Sequence, residues 1–372
     1  MLHLRHCHLA ASALLAALAL LPGCASIGPG RMLQDRADYN SSLTESWKRQ
    51  ILLNIVKVRY VEPLFFMDVG DIVAGYTMET AGSMGFTRSL FDVTPSTDSP
   101  VFSSSSKLDF GLSGKYTDRP TITYKPMTGA PFRKGIMSPI PLHNILLGLE
   151  SGVSAHFLCN LGVRAINGQR NAILTPQREA PAQEGFSRAV ELLAQLQVAN
   201  GLHVRVEPRP QGKDVRLFLS LGGKNPAPDV LALVKELQNL LDLDQSVFVY
   251  EVVSVPEANN RRQITVQTYS LMQIMATIAT RVAIPETDIQ EQCALPGTSL
   301  NLNHGPIAGM TIHTAQTKPK ESYAAVHYHG HWFWVDDRDL TTKRVFSFLM
   351  LAFTLMEDKV ATPPVQLTIP TQ

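Results

Sequence analysis

VHYHGHWFWVDDRDL, Val326 to Leu340, places three histidines, two tryptophans and three aspartates within fifteen residues. Two readings compete for it: a metal site, or a strand that runs into a helix. Ala324 to Val335 alternates in character, as a half-buried strand does. On that pattern His327, His329, His331, Phe333 and Val335 share one face, and Val326, Tyr328, Gly330, Trp332 and Trp334 share the other. The second set is the natural buried face, which turns the histidines towards water. His327 and His329 are spaced to chelate, as paired strand ligands of zinc are. His331 would lie about 13 Å from His327 at roughly 3.3 Å per residue, too far for all three to share one tetrahedral ion. A solvated polar face is the simpler account, with His327, His329 and His331 as the candidate ligands if a metal binds. The aspartates read as a helix start at Asp339 or Thr341, where carboxylates accept free amide hydrogens and stabilise the positive end of the dipole. Asp336, Asp337 and Asp339 lack the spaced oxygens and the glycine of a calcium loop.

Working outward, Val345 to Met356 continues as an apolar helix of 12 residues, too short to span a bilayer and suited to a core. Upstream, helical and strand periods interleave. Phe186 to Ala199 carries Phe186, Val190, Leu193 and Leu196 on one side of a helix. LHVRVEPRPQGKDVRLFLSL reads as a hairpin turning at Pro208 to Lys213, APDVLALVKELQNLLDLD as a helix, SVFVYEVVSV and RRQITVQTY as strands, and SLMQIMATIATRV as a helix. Further back, helical patterns cover Pro141 to Glu150 and Val153 to Asn167. LFFMDVGDIVAGYTME and KLDFGLSGKYTDRPTITYKP read as strands, the second as a hairpin, joined by a Ser/Pro-rich loop over Thr94 to Ser106. Ser42 and Glu45 fit a capping box that starts a helix striped by Leu43, Trp47, Ile51, Ile55 and Val58; Lys57 and Arg59 suit its negative end, and Pro63 stops it. Short antiparallel sheets and hairpins interleaved with amphipathic helices make an α+β fold. The polar stretch Gly168 to Gly185 is the candidate boundary between an N-terminal part, 42–175, and a C-terminal part, 184–372.

The amino terminus carries an address. Arg5 precedes the apolar run Leu9 to Leu21, too short for a folded transmembrane helix, and Leu21-Pro22-Gly23-Cys24 follows. Residues 1–23 read as a signal peptide and the small, polar residues 24–41 as a tether. Leu21 to Cys24 resembles the lipobox of bacterial lipoproteins. The resemblance implies cleavage before Cys24, a diacylglycerol on its sulfur and a further acyl chain, such as palmitate, on its amino group. Three chains at about 0.8 kcal/mol per buried methylene would hold the protein almost permanently. Ala25, where inner-membrane lipoproteins commonly carry aspartate, favours the periplasmic face of the outer membrane over the inner membrane.

Arg5 is the only charged residue in 1–23, so the 33 basic residues fall to 32, against 32 acidic. That balance argues against nucleic acid as a partner. Cys159 and Cys293 remain after processing and could pair in the periplasm, although Cys159 sits in an apolar pattern that suits a buried free thiol.

QILLNIVKVRYVEPLFFMDVGDI, RPTITYKPMTG, SPIPLHNILLGLESG, RAINGQRN and WFWVDDRDLTTKRVFSFLMLAF together resemble a family of bacterial lipoproteins with no assigned activity. The family supplies no catalytic residue to carry over. Neither a G-x-S-x-G elbow, an H-E-x-x-H, a P-loop nor a C-x-x-C occurs. The sequence therefore points to a non-catalytic structural or protein-binding component, without a cofactor, whose partners are the membrane, through its lipid, and an envelope protein. The alternatives are a periplasmic hydrolase with a dispersed site, or a metal-binding protein using His327 and His329.

Overall fold

The computed structural model describes residues 29–73, 76–94, 101–118, 121–208, 215–223, 225–257, 260–297 and 307–356. Helices and mostly antiparallel sheets alternate along this chain, an α+β fold. Two compact units result: residues 67–127, and the rest of the described chain, 29–66 with 128–356. Cys24, the signal segment 1–23 and residues 24–28 lie outside the described residues, as does the expected turn over 209–213.

The larger unit begins with helix α1, Pro29–Arg59, about 46 Å long at 1.5 Å per residue. Its start corrects the expected tether and capping box. Pro29 at the first helical position needs no amide partner, and Met32 to Ala37 holds good helix formers. Ser42 and Glu45 therefore fall in mid-helix, where Glu45 accepts from Arg49 at 3.0 Å instead of capping. The second half of α1 is buried through Ile51, Leu52, Ile55 and Val56, while Trp47 stacks on Phe66 at 6.1 Å. Asn54, buried, ties the chain as it leaves the helix: its amide donates to the carbonyls of Gln50 and Phe65, and its oxygen accepts from the Phe65 amide, all at 2.8 Å. The helix closes by bonds from the Glu62 amide to the Lys57 carbonyl and from the Val61 amide to the Val58 carbonyl. That closure needs a left-handed residue, and Val61 adopts it at φ 58° although glycine is the usual occupant.

After the smaller unit come α2 (Gly129–Met137), α3 (Leu142–Glu150) and α4 (Ala155–Gly162). The helix expected to reach Asn167 stops at Gly162, and Val163–Ile166 becomes strand β5. Next are β6 (Gln169–Arg170), the small hairpin β7–β8 (Ile173–Thr175, Arg178–Ala180) and α5 (Glu184–Val198). Strands β9 (Leu202–Pro208) and β10 (Val215–Leu221), helix α6 (Pro228–Leu240), and strands β11 (Val249–Val253) and β12 (Gln263–Thr268) follow. These strands form one sheet in the order β6-β5-β12-β11-β10-β9, with β11 and β12 parallel and every other pair antiparallel. Residues 168–185 are therefore no domain boundary: β5 and β6, before and within that stretch, pair into the sheet that β9 to β12 complete. Register explains its core. Leu217 faces Val252, Leu219 faces Tyr250 and Val252 faces Ile264, so one face is continuously apolar. Its buried complement comes from Phe186, Ala189, Val190, Leu193 and Leu196 of α5 and Val230, Val234 and Leu237 of α6.

Helix α7 (Leu271–Ala279) opens with the capping box Ser270–Gln273, and the short α8 (Glu286–Gln290) follows. A three-stranded sheet, order β13-β15-β14, uses His313–Ala315, Ala324–Tyr328 and His331–Val335. The chain then enters α9 (Leu340–Met356). Asp339 caps it as expected: Asp339 Oδ1 accepts the Thr342 amide at 2.9 Å, and Oδ2 accepts the Thr342 hydroxyl. Asp336 accepts the Arg338 amide at 2.8 Å and Asp337 the Lys343 ammonium at 2.8 Å, so all three aspartates are occupied structurally.

The smaller unit holds two strand pairs. β1 (Phe66–Val73) pairs β4 (Thr121–Met127), and β2 (Tyr76–Thr94) pairs β3 (Val101–Asp118). The expected hairpin within Lys107 to Pro126 does not form, because its two arms pair with different strands. Of the expected loop, only residues 95–100 fall outside the described chain; residues 101–106 belong to β3.

Candidate functional site

The histidine stretch is a hairpin, and its turn redraws every face. Tyr328 pairs His331, leaving His329 and Gly330 as a two-residue loop with φ of 45° and 76°. Positive φ at both positions is the turn geometry that matches strand twist, and glycine at the second suits it. The turn shifts the alternation by one residue between the arms. Val326 now opposes Phe333 and Ala324 opposes Val335, and these four are the buried set, while His327 opposes the half-buried Trp332 on the outer face. The expectation that Trp332 and Trp334 lie inside and Phe333 outside is thus inverted.

This separates the candidate ligands. His327 lies against Trp332, ring centroids 5.3 Å apart, on the outer face. His331 shares the opposite phase, with Nδ1 3.0 Å from the His329 carbonyl and Nε2 2.9 Å from the Gln316 amide nitrogen. His329, at the tip, stacks flat on Tyr60 at 4.5 Å and sits 3.3 Å from Glu62 Oε1. No group of three His, Cys, Asp or Glu side chains among the described residues is placed to hold a metal. Cys159 and Cys293 are both free thiols, Cys159 buried on α4 as its apolar pattern suited and Cys293 exposed after α8, so the alternative pairing is not formed. Burial pushes the Cys159 thiol up to about 12, which removes it as a nucleophile at neutral pH.

What the hairpin tip builds instead is a polar and aromatic cluster at the end of α1. The Tyr60 hydroxyl donates to Asp288 Oδ2 at 2.6 Å; its ring meets Tyr328 edge-on at 5.4 Å and Phe333 at 6.3 Å. Burial first, and the Asp288 bond second, hold the Tyr60 phenol well above its ordinary value. Burial and the neighbouring Glu62 carboxylate do the same to Tyr328. The Glu62 carboxyl is held below its usual value, by Tyr328 foremost and also by His329. The Tyr60 hydroxyl ties the end of α1 to α8 through Asp288, while Tyr60 and Glu62 meet His329 of the hairpin by ring stacking and a 3.3 Å polar contact, a lock at the end of α1. It holds three elements together, and no nucleophile–base pair occurs among these residues.

The lock has a pH signature. A carboxyl whose folded pKa is depressed stabilises the fold fully above its unfolded value, near 4.5, and loses that contribution as pH falls through the lower folded value. Glu62→Gln should therefore flatten the acid limb of a stability-against-pH curve while changing stability by less than about 1 kcal/mol at pH 7, since the pair is partly exposed. Thermal melts at half-unit pH steps check this; an unchanged acid limb would remove Glu62 from the lock.

Arg59, the last residue of α1, sits at the negative end of the helix as its charge suits, yet it is only 1 % exposed. Its guanidinium donates to the Leu295 carbonyl from Nε at 3.0 Å and Nη2 at 2.6 Å, and from Nη1 to the carbonyls of Ala279 and Val282, both at 3.0 Å. Desolvation lowers its pKa to about 10, so it remains a cation at neutral pH. The only sequence hint was its place on the apolar side of the helix, four residues after Ile55.

A shallow cleft of about 430 Å³ opens where β10 begins and β11 ends, beside the start of α3. Its polar lining is His143, Arg216, Glu251, Ser254, Glu257 and Gln263. The central carboxylate is already engaged: Glu251 receives Arg216 at 2.9 Å on one oxygen and Gln263 at 3.3 Å on the other, while the Gln263 side-chain oxygen accepts the Glu257 amide at 3.2 Å. The cleft is a strand-end closure more than a prepared cavity. No family model, no curated protein and no solved structure matches the chain.

Proposed function

We propose that this chain is a lipid-anchored protein of the bacterial envelope, held through Cys24 at the periplasmic face of the outer membrane. There its α+β body serves as a non-catalytic structural or protein-binding component, with another envelope protein as partner. The observation that carries the reading is Leu21-Pro22-Gly23-Cys24 at the end of a short apolar run behind Arg5. No helix among the described residues is long and apolar enough to cross a membrane, so acyl chains on Cys24 supply an anchor that those helices do not. The body supports it in its turn. The buried polar groups Asn54 and Arg59 spend their hydrogen bonds on backbone, and the Tyr60 hydroxyl spends its own on Asp288 of α8.

The test is metabolic labelling with an alkynyl fatty acid. Wild type should carry the label and a processed amino terminus, while Cys24→Ser should lose both and leave the melting of the body unchanged. Wild type without label, or a variant labelled as strongly, overturns the anchor. Crosslinking in intact envelopes followed by purification should return one reproducible protein partner, and a result with none counts against the binding role.

A further inference from the structure

The β2–β3 ribbon is far longer than a hairpin needs to be: 19 and 18 residues, paired from Tyr76↔Asp118 to Thr94↔Val101. Among the described residues it is a two-stranded sheet with no third strand paired to it. A lone two-stranded ribbon is marginal in water, so its length asks for a second environment.

The register shows which one. Cross-strand partners share a face, and alternate pairs fall on opposite faces. One face takes Tyr76, Met78, Thr80, Gly82, Met84 and Phe86 from β2, against Leu108, Phe110, Leu112, Gly114 and Tyr116 from β3. Thr80, Gly82 and Gly114 dilute it and no charge interrupts it. The other face takes Thr77, Glu79, Ala81, Ser83, Gly85 and Thr87, against Lys107, Asp109, Gly111, Ser113, Lys115 and Thr117. It has no aromatic and no branched aliphatic residue, and Glu79 stands directly opposite Lys115. The apolar band is bounded by charge at both ends, by Asp118 opposite Tyr76 and by Arg88 opposite Ser106.

We propose that this ribbon inserts into a bilayer, with the apolar face against acyl chains. Copies of the chain would close side by side into a barrel whose lumen the polar face lines. The band selects lipid over a soluble partner by its dimensions. Residues 76 to 86 are 11 residues, the length of a transmembrane strand, and tilted by about 40° they rise about 25 Å, the height of a barrel's apolar belt. Tyr76 and Tyr116 at one end of the band stand where barrel girdles place aromatic residues. Closure by further copies follows from the edges: in hydrocarbon each unpaired backbone group costs several kcal/mol, and one ribbon leaves two open edges. A minimal barrel of about eight strands takes about four copies. The inference does not rest on the lipid anchor, although an anchor at Cys24 would hold the ribbons at the surface they enter.

The experiment uses the full mature chain, purified in detergent and reconstituted into phosphatidylethanolamine–phosphatidylglycerol vesicles loaded with a self-quenching dye. Two variants place the same charge on neighbouring residues, Met84→Asp on the apolar face and Ser83→Asp on the polar one. Wild type should release dye, Ser83→Asp should stay within about twofold of it, and Met84→Asp should lose roughly tenfold or more. Equal melting curves for the two variants show that the body is intact in both. No release by wild type, or equal release by the two variants, overturns the proposal. A chain that floats with the vesicles through its lipid yet releases nothing overturns the ribbon alone. A chain that releases dye but takes up no fatty acid overturns the anchor alone.

Discussion

Arg59→Met should destabilise the protein by about 3–5 kcal/mol. The guanidinium reaches three carbonyls from two segments, Ala279 and Val282 at the end of α7, and Leu295 beyond α8. The Leu295 amide in turn donates to the Arg59 carbonyl at 2.7 Å, so the pairing is reciprocal. Methionine fills much of the volume and restores none of the donors, leaving buried acceptors without partners, which costs about 1–3 kcal/mol for each such group. Arg59→Lys is the sharper comparison. An ammonium keeps the charge but lacks the planar fork that serves Leu295 from two nitrogens while reaching the helix end. Lysine should therefore recover less than half of the loss. Urea unfolding of the three proteins at equal slope checks this, with amide exchange over residues 279–297 expected to quicken first. If methionine stays within about 1 kcal/mol of wild type, the clamp contributes nothing net and burial of the charge has cancelled it.

That arginine also shows where sequence reading stops. A 3.6-residue period exposes the face of α5 correctly, because Phe186, Val190, Leu193 and Leu196 are apolar and local spacing alone aligns them. The Asp339 cap is legible for the same reason, since its partner is three residues away. A cationic side chain on an apolar face carries no such signal. Arg59 is buried because carbonyls more than two hundred residues later converge on it, and sequence spacing holds no record of that meeting. Pairing choices are equally distant. Residues 107–118 and 121–127 alternate as a hairpin would, yet they pair with β2 and β1, so alternation fixed the strands and left their partners open. The first residues of α1 failed differently. Mostly polar, they hold a helix by propensity and by Pro29 at its start, with no apolar stripe to announce it.

The hairpin tip is the clearest case, and it carries a prediction whose sign was reversed by one turn. Continuous alternation from Ala324 to Val335 places the tryptophans in the core and Phe333 in water. With a two-residue turn at His329-Gly330, Phe333 is 0 % exposed, opposite Val326 and edge-on to Tyr60 at 6.3 Å. Trp332 is half-buried on the outer face, against His327 and under the Lys318 ammonium at 5.5 Å. Phe333→Ala should therefore cost about 3–5 kcal/mol, from lost burial and the cavity left between α1 and the hairpin. Trp332→Ala removes the larger ring yet should cost only about 1–2 kcal/mol, since that ring is already partly wet and its cation contact is exposed. The turn should be sensitive too: Gly330 at φ 76° has open space around it, so Gly330→Ala isolates backbone strain of roughly 1 kcal/mol. Denaturant midpoints for the three variants rank these effects on one scale. Phe333 first, with Trp332 and Gly330 well behind, is the order that a turn at His329-Gly330 demands. Trp332 costing more than Phe333 would mean that the strand runs straight through and the histidines share a face after all.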